Sequence, residues 1–542
     1  MKKLILILVV FLLVGCSSTG DTTTSTTDPA TTTATTTTEK SLTVATITDL
    51  QSMDQLEATD GTSFIAIANT IVGLTSVDAD GMVIPEIATS WDISEDKTVY
   101  TFYLDENAVW NNGDPVTAND FVYAWKRMCD PENAATYEFI FETVKLSNFD
   151  SQGDDFGAKA IDDYTLEVTL DAPVDFFLGL LAFPSFFPLN EEFVEAQGDQ
   201  YALSVDNLLA NGPYVLNEWT QGNEFSFAKN DTYAKADEVN LDTLTFKVLK
   251  DPQTAMMGFE TGDIDVVPLS GDLVDLYSDR PEFTNRLQGY VWYLSLNELT
   301  DLENKNLRLA IAQAFDREAI ATSVLKDGSI AAEGIIPVDL AVSPDGTDFR
   351  EDSGAYLTED VELAQEYFAT ALDELGVDSL ELELLFEDSD SSKSVAEFLK
   401  SELETNLPGL TITLKSQTKK ARLELMDEGD FEIGLTRWGP DYADPQTYLD
   451  LFTSWVGDDT NSARYASDEY DALITEAFYG ESSKDSQARW ELMLEAEKVL
   501  LEDAAIAPIY QNGGAVMINQ NVTGIEFHSV SIDSYKHADI TE

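Results

Sequence analysis

The sequence predicts a mixed α/β protein with a large buried core. Strand-like and helix-like stretches are interleaved from Ser41 onward, and no second low-complexity tract interrupts them. Hydrophobic residues make up 44% of the 542 residues, and aromatic residues make up 10%, which is ample for a stable globular body. A chain of this length is expected to form several domains or one large body with several lobes.

The N-terminus predicts a secretory signal. Lys2 and Lys3 precede an apolar run at 4–14, which is too short to span a bilayer. The run ends in LVGC at 13–16, which resembles the lipobox of bacterial lipoproteins. We therefore expect cleavage before Cys16 and acylation of that cysteine, for example with palmitate; the alternative is a plain signal peptide with an incidental cysteine. Several acyl chains, at about 0.8 kcal/mol per buried methylene, would anchor the protein without a transmembrane helix.

A threonine-rich tract follows the cysteine. Twelve of the 18 residues at 21–38 are threonine, and such a composition cannot bury a core. The sequence thus predicts a signal peptide at 1–15 and a lipidated cysteine with a flexible stalk at 16–40. Only Cys129 remains in the body, which predicts that the body has no internal disulfide.

Periodicity places the first elements of the body. Hydrophobic alternation predicts strands at 41–47, 99–104 and 165–170. Thr117 is a suitable N-cap for the aromatic helix after it, and Asp120 suits the positive helix start. Apolar spacing predicts two further helices, one at 306–325 and one at 485–501.

Charge excludes some partners. The chain has 100 acidic and 31 basic residues, a formal net charge of −69, and the acids are spread along its whole length. Such a surface repels phosphate, so we expect neither nucleic acid nor anionic lipid headgroups as partners. The even spread indicates a solvated, soluble surface.

The sequence offers few candidates for catalysis. Its only histidines are His528 and His537, and GxSxG, HExxH, CxxC and P-loop motifs are absent. We therefore predict no enzyme, no cofactor and no metal site. An acid-rich surface hydrolase is the alternative, although paired carboxylates are uninformative among 100 acids.

The stretch RWGPDYADPQTYL at 437–449 sets two aspartates among aromatic rings. Asp441 is a candidate for holding a cationic ligand, because a carboxylate shielded from water attracts a positive charge. Asp444 precedes Pro445, a pair typical of turns.

A longer series of motifs carries a family resemblance. Residues 86–127 include A-x-S-W, the strand YTFYL and the turn NNGDPVTANDF; KAIDDYTLEVTL, NGPYVLNEW, NLRLAIAQAFDRE, RWGPDYADP and AAIAPIY follow in order. Together they resemble the oligopeptide/dipeptide/nickel class (family 5) of ABC-transporter solute-binding proteins, most of all the oligopeptide-binding ones. The resemblance covers 41–542.

The resemblance implies a clam shell of two α/β lobes with an extra domain on the first lobe. Carried over to this chain, lobe one would use 41–71, 191–296 and 508–542. The extra domain would be 72–190, and lobe two would be 297–507.

The resemblance also implies a binding site between the lobes. The aspartate of a W-x-x-D-Y motif, here Asp441, would pair with the α-ammonium group of a peptide. Main-chain groups of Trp438 and Gly439 would bond the peptide as an added strand. Three further residues occupy positions that face the cleft in peptide-binding relatives: Tyr137, Gly61 and Tyr510.

The sequence departs from this pattern where relatives place cations for the carboxylate of a short peptide. The aligned positions are Ser392, Met426 and Leu435, none of which is basic. Arg437 and Lys419 are the cations that could reach the carboxylate by another path. The departure favours longer peptides, or a ligand without a carboxylate.

The implied function is capture of peptides at the outer face of a bacterial cell membrane and delivery to an ABC permease driven by cytoplasmic ATPases. A monomer is expected. One alternative is another solute in the same fold, such as an oligosaccharide stacked on Trp292, Tyr293 and Trp438, or a metal chelate. A second alternative is a receptor that senses peptide pheromones.

Overall fold

The computed structural model describes residues 39–541, apart from residues 80, 145, 148–154, 458–459 and 531. The predicted signal peptide, Cys16 and all but the last two residues of the predicted stalk segment lie outside the described residues. Within the described residues, no helix combines the length and the apolar character needed to cross a bilayer.

The first lobe is built on a seven-stranded sheet. Its strands, in spatial order, are Phe283–Thr284, Val516–Ile518, Val266–Pro268, Ser41–Thr46, Thr243–Val248, Glu224–Lys229 and Tyr214–Thr220. The N-terminal strand runs parallel to Thr243–Val248, in register from Ser41 opposite Thr243. The sheet therefore gathers segments from the start, the middle and the end of the body.

The second lobe is built on a six-stranded sheet. Its strands, in spatial order, are Ile330–Ala331, Ile506–Gly513, Leu287–Leu296, Ile433–Trp438, Leu380–Glu387 and Leu410–Gln417. Helices cover this sheet, and two large apolar clusters form its core. The candidate ligand residues Trp438 and Tyr510 lie on two of its strands.

The extra domain is a four-stranded antiparallel sheet. Its strands, in spatial order, are Ala88–Ile93, Val99–Leu104, Thr165–Thr169 and Ala158–Asp162. Phe102 and Leu166 of this sheet share one apolar cluster with Leu42 and Leu244 of the seven-stranded sheet. This shared core attaches the extra domain to the first lobe.

Two short links connect the lobes, and they run side by side. Thr284 pairs with Val516 in the first sheet, and Leu287 pairs with Gly513 in the second. Between these pairs, the Gly514 N–H donates to the Arg286 carbonyl at 2.7 Å. The links form a continuous two-stranded ribbon, the geometry expected of a hinge. The two sheets are thus joined at residues 285–286 and 514–515, and the expected lobe boundaries at 296 and 507 stay a prediction.

Helices surround the three sheets. Those of the first lobe and the extra domain are Gly61–Thr70, Ala118–Met128, Phe139–Thr143, Phe177–Leu180, Glu191–Gln197, Pro252–Thr261 and Asp272–Tyr277. Those of the second lobe are Lys305–Gln313, Arg317–Ala319, a π-helix at Ile320–Leu325, Phe349–Ser353, Val361–Leu375, Asp390–Asn406, Lys419–Asp427, Gln446–Leu449, Asp468–Tyr479 and Ser486–Glu502. Two pairs of short strands complete the fold: Thr75–Val77 with Val83–Pro85, and Val522–Thr523 with Asp539–Ile540.

One predicted helix is wrong as a continuous element. The stretch 306–325 breaks after Gln313, because Asp316 caps a new helix by accepting the Ala319 N–H at 2.8 Å. The buried Arg317 side chain donates to the carbonyls of Ala312 and Pro508, which fixes the break.

Candidate ligand-binding site

The strand Ile433–Trp438 ends in a turn that carries Asp441. The Asp441 carboxylate forms no ion pair or hydrogen bond with any other described residue; only its main-chain N–H is engaged, donating to Thr447 Oγ1 at 3.2 Å. Burial raises the pKa of the Asp441 carboxyl to about 6, and no neighbouring charge contributes to the rise. This turn thus holds an acid for which the described residues supply no counter-ion.

Asp444, three residues further on, lies in the opposite environment. Both of its oxygens accept hydrogen bonds from the Arg489 guanidinium at 2.7 Å, and both side chains are buried. Asp444 Oδ1 also accepts the Gln446 N–H at 2.9 Å, which closes the turn. Asp444 is therefore a structural ion pair, and of the two acids only Asp441 is left for a ligand.

Gly439 lies between the strand and the turn, against the ring of Tyr290. A Cβ atom at Gly439 would sit 2.1 Å from a carbon of that ring, so only glycine allows this approach. Beside it, the indole Nε1 of Trp438 is buried and has no hydrogen-bond partner among the described residues. Trp438, Gly439 and Asp441 thus lie close together in sequence, where the strand passes into the turn.

The strand Ile433–Trp438 is only partly paired on one of its two sides. On one side it pairs along its whole length with Leu287–Leu296. On the other side, its described pairing to Leu380–Glu387 covers only Ile433 and Gly434. Beyond that pairing, Leu435 and Thr436 are buried, and the Trp438 carbonyl accepts the Tyr448 hydroxyl at 3.5 Å. Only the end of the strand, at the exposed Arg437 and the half-buried Trp438, is open to a further strand.

Tyr137 of the extra domain faces this turn. Its ring packs in an aromatic cluster with Phe64 at 5.3 Å and Phe183 at 5.4 Å between ring centroids. Burial raises the pKa of the Tyr137 phenol well above its ordinary value, and the nearby Asp441 charge raises it further. The two sequence-predicted residues, from different bodies of the fold, are thus brought together.

Gly61 and Tyr510 have different surroundings. Gly61 is exposed at the start of the helix Gly61–Thr70, and a Cβ there would meet nothing within 4 Å. The same helix carries Phe64, which contacts Tyr137. Tyr510 is only 2% exposed and stacks on Trp292, with ring centroids 5.8 Å apart. Tyr510 thus contributes mainly to the core of the second lobe.

The rings considered for sugar stacking are largely occupied. Trp292 lies against Tyr510, and the buried Tyr293 packs on Phe452 at 6.1 Å. Trp438 is half-buried beside the core of the second lobe. Neither Trp292 nor Tyr293 presents an open face of the kind that a sugar ring requires.

Local sequence patterns carry no signal for a contact between the extra domain and the second lobe. Phe176 and Tyr442 stack with ring centroids 4.1 Å apart and planes 10° from parallel, and both are buried. Next to them, the Lys97 ammonium donates to Asp175 at 3.2 Å and to Ser486 at 3.3 Å. These residues are distant in sequence, so periodicity cannot pair them.

The positions aligned with carboxylate-binding cations are all buried. Ser392, Met426 and Leu435 belong to the interior of the second lobe. Arg437 and Lys419 are both exposed. The Arg437 guanidinium stacks over the ring of Tyr290, 4.5 Å from its centroid.

No cluster of three or more His, Cys, Asp or Glu side chains suited to a metal ion occurs among the described residues. His528 is partly buried, and burial lowers the pKa of its imidazole.

Two lobes joined by a two-stranded ribbon, with an acid on one lobe that has no described counter-ion, fit the architecture of a solute-binding protein. The chain belongs to the bacterial extracellular solute-binding proteins, family 5, whose model matches residues 82–460. This finding confirms the family resemblance.

Three relatives illustrate the similarity. The dipeptide-binding protein DppE of Bacillus subtilis is 32% identical over 507 residues, covering 92% of each chain. The structure of Listeria monocytogenes OppA bound to peptide matches with a TM-score of 0.77 and 35% identity, covering 93% of this chain and 99% of that one. The structure of the pheromone receptor PrgZ matches with a TM-score of 0.77 and 29% identity, covering 93% of this chain and 100% of that one. The predicted fold, a two-lobed clam shell with an extra domain, is confirmed by these matches.

Proposed function

We propose that this protein is the lipid-anchored, extracellular solute-binding component of an ABC importer, and that it captures peptides between its lobes. The protein binds its ligand without chemistry and delivers it to permease subunits driven by cytoplasmic ATPases. The observation that carries this proposal is the Asp441 carboxylate, which is shielded from water and has no described counter-ion.

A peptide α-ammonium group supplies the positive counter-charge for the Asp441 carboxylate. A charge-assisted hydrogen bond of this kind contributes about 1.5–3 kcal/mol. An isolated carboxylate in such a place is unfavourable, so the bound cation removes a cost that the free protein carries. The ammonium end of the peptide is thereby fixed at one point.

The end of the strand at 437–438 accounts for the rest of the peptide. An extended peptide bonded to these main-chain groups adds a strand to the six-stranded sheet. Main-chain recognition tolerates many side chains, which suits a transporter that takes peptides of varied sequence.

Closure of the lobes follows because the ligand contacts lie on two different parts of the fold. Asp441 belongs to the second lobe and Tyr137 to the extra domain on the first, so a ligand between them stabilises the closed arrangement over the open one. The ribbon at 285–286 and 514–515 is the axis of this motion.

A pheromone receptor is the second candidate function. The fold similarity to PrgZ supports it, since that protein is described as a peptide-binding pheromone receptor. The binding site is the same in both cases. A deletion strain separates the two, because loss of peptide uptake indicates import, and normal uptake with a lost response indicates sensing.

Mass spectrometry of the native protein tests the proposal directly. Residues 39–542, purified without denaturant and then acid-denatured, are expected to release heterogeneous peptides. Asp441→Asn protein should release far less, whereas the control Asp378→Asn, which removes an exposed acid of the same lobe, should release the wild-type amount. Release of sugars, or equal peptide yields from both variants, would remove Asp441 from the site.

A further inference from the structure

Arg437 stands apart from the other arginines of the chain. The sequence contains ten arginines, all within the described part of the chain. Nine of them donate hydrogen bonds to protein acceptors: Arg127, Arg280, Arg286, Arg308, Arg317, Arg350, Arg422, Arg464 and Arg489. The Arg437 guanidinium forms no hydrogen bond or ion pair with any described residue. In a chain with 100 acids, an arginine without a described polar partner is an unexpected feature.

Aromatic rings hold this guanidinium in place. It lies 4.5 Å from the centroid of Tyr290 and 5.4 Å from that of Trp292. Stacking on rings fixes the guanidinium plane and leaves its N–H groups at the edge free to donate. Arg437 is exposed, so an incoming group can reach those donors.

The same Tyr290 ring lies against the turn that carries Asp441. Tyr290 contacts Gly439 directly, and Asp441 follows two residues later. The strand and its turn therefore present a cation and an anion, each without a described counter-ion, four residues apart. Because four residues span at most about 14 Å, a short extended peptide is long enough to reach both groups.

We infer that Arg437 is a specificity-determining residue that receives an anionic carboxylate of the ligand, while Asp441 receives its ammonium group. This inference rests on the proposed function and narrows the ligands to zwitterionic peptides. The carboxylate is either the C-terminus of a peptide of about three to five residues or an acidic side chain near that distance. A bidentate guanidinium–carboxylate pair has the geometry to select either group.

Calorimetry with matched peptides tests the inference. The probes are alanine tri-, tetra- and pentapeptides, each with a free or an amidated C-terminus. For at least one length, the wild-type protein should bind the free acid about tenfold to hundredfold more tightly than the amide. Arg437→Gln should abolish this ratio, and Arg437→Lys should restore part of it, because lysine keeps the charge and loses the planar fork.

A second pair of probes identifies the source of the carboxylate. Ala-Glu-Ala-Ala amide and Ala-Gln-Ala-Ala amide differ only in an acidic side chain. If Arg437→Gln removes a preference for the glutamate peptide, an acidic side chain is the group received; if it removes the acid-over-amide preference, the C-terminus is received. Lys420→Gln is the control, since it deletes a charge that is 87% exposed on a neighbouring helix and should change neither ratio.

The outcomes distinguish this inference from the proposed function. N-terminal acetylation of the peptide could weaken binding while neither the C-terminal carboxylate nor the glutamate side chain changes the affinity. In that case the inference is overturned and peptide capture stands. If Arg437→Gln weakens acids and amides equally, Arg437 has only a structural role and the inference is likewise overturned. If no peptide binds the wild-type protein, both ideas are lost together.

Discussion

Replacing Asp441 by asparagine should stabilise the ligand-free protein and weaken peptide binding. The change removes a charge that is partly buried and has no described partner, and no hydrogen bond of the Asp441 side chain to a described residue is lost with it. A carboxyl whose pKa is about 6 instead of 3.8 destabilises the ionised folded protein by about 3 kcal/mol, since each tenfold change in proton affinity is worth about 1.4 kcal/mol.

The sign of the effect fixes its pH dependence. Below pH 3.8 the carboxyl is protonated in both the folded and the unfolded states, so the substitution gains nothing there. Between pH 3.8 and about 6 the folded state binds the proton more tightly, and wild-type stability falls as the pH rises. Above about pH 6 the ionised carboxylate destabilises the folded protein by the full amount. The increase in stability from Asp441→Asn should therefore be largest near neutral pH.

Binding should respond in the opposite direction. An ammonium ligand needs the ionised carboxylate, so wild-type affinity should fall by up to about tenfold per pH unit below about pH 6. Affinity of the Asp441→Asn protein should be weaker at neutral pH and nearly independent of pH over this range.

The assay uses the peptide-free protein at about pH 7.5 and about pH 4, on either side of the folded-state pKa. Denaturation measures the stability of each variant, and calorimetry measures its peptide affinity. The protein must first be stripped of bound peptide, because ligand that binds only the folded state stabilises it by mass action. A lower stability of Asp441→Asn than of wild type at the higher pH would refute the reasoning, since it would mean that the free protein already stabilises the charge.

Three further predictions concern other parts of the chain. Arg489→Gln should destabilise the protein by about 3–5 kcal/mol in chemical denaturation, because it leaves Asp444 buried without its cation; adding Asp444→Asn should recover part of the loss, and full stability of the single variant would contradict the pairing. Tyr442→Ala and Phe176→Ala should each weaken peptide affinity about tenfold and enlarge the ligand-free protein in small-angle scattering, and additive effects in the double variant would exclude a direct coupling. Cys16→Ser should release the protein from the membrane fraction into the medium, whereas retention there would exclude the lipid anchor.

The sequence predicts the classes of element better than their partners. The strand at 99–104 and the helix Ser486–Glu502 follow from local periodicity, because each buries one regular face. The break inside 306–325 depends on a buried arginine bonded to Pro508, a contact that no local pattern contains. The hinge ribbon likewise depends on pairing between Leu287 and Gly513, which are far apart in sequence.

The two aspartates of the stretch 437–449 show the same limit at the site. Asp441 and Asp444 have the same side chain and similar neighbours in sequence. Only the fold distinguishes them, because it brings Arg489 to Asp444 and no described cation to Asp441. The family resemblance singled out the acid that the fold leaves without a described counter-ion, whereas spacing alone could not.

Under the proposed function, the same turn would couple the charge of the ligand to closure of the lobes. Asp441 is followed directly by Tyr442, whose ring stacks on Phe176 of the extra domain. If a ligand cation binds Asp441 as proposed, it would order the same turn that presents Tyr442. Ligand binding and contact between the second lobe and the extra domain would then favour each other. Since the coupling is reciprocal, loss of the stack must weaken the ligand by the same factor by which the ligand strengthens the stack. The change in peptide affinity between the wild type and the double variant of Phe176 and Tyr442 therefore measures the coupling free energy between the stack and the ligand.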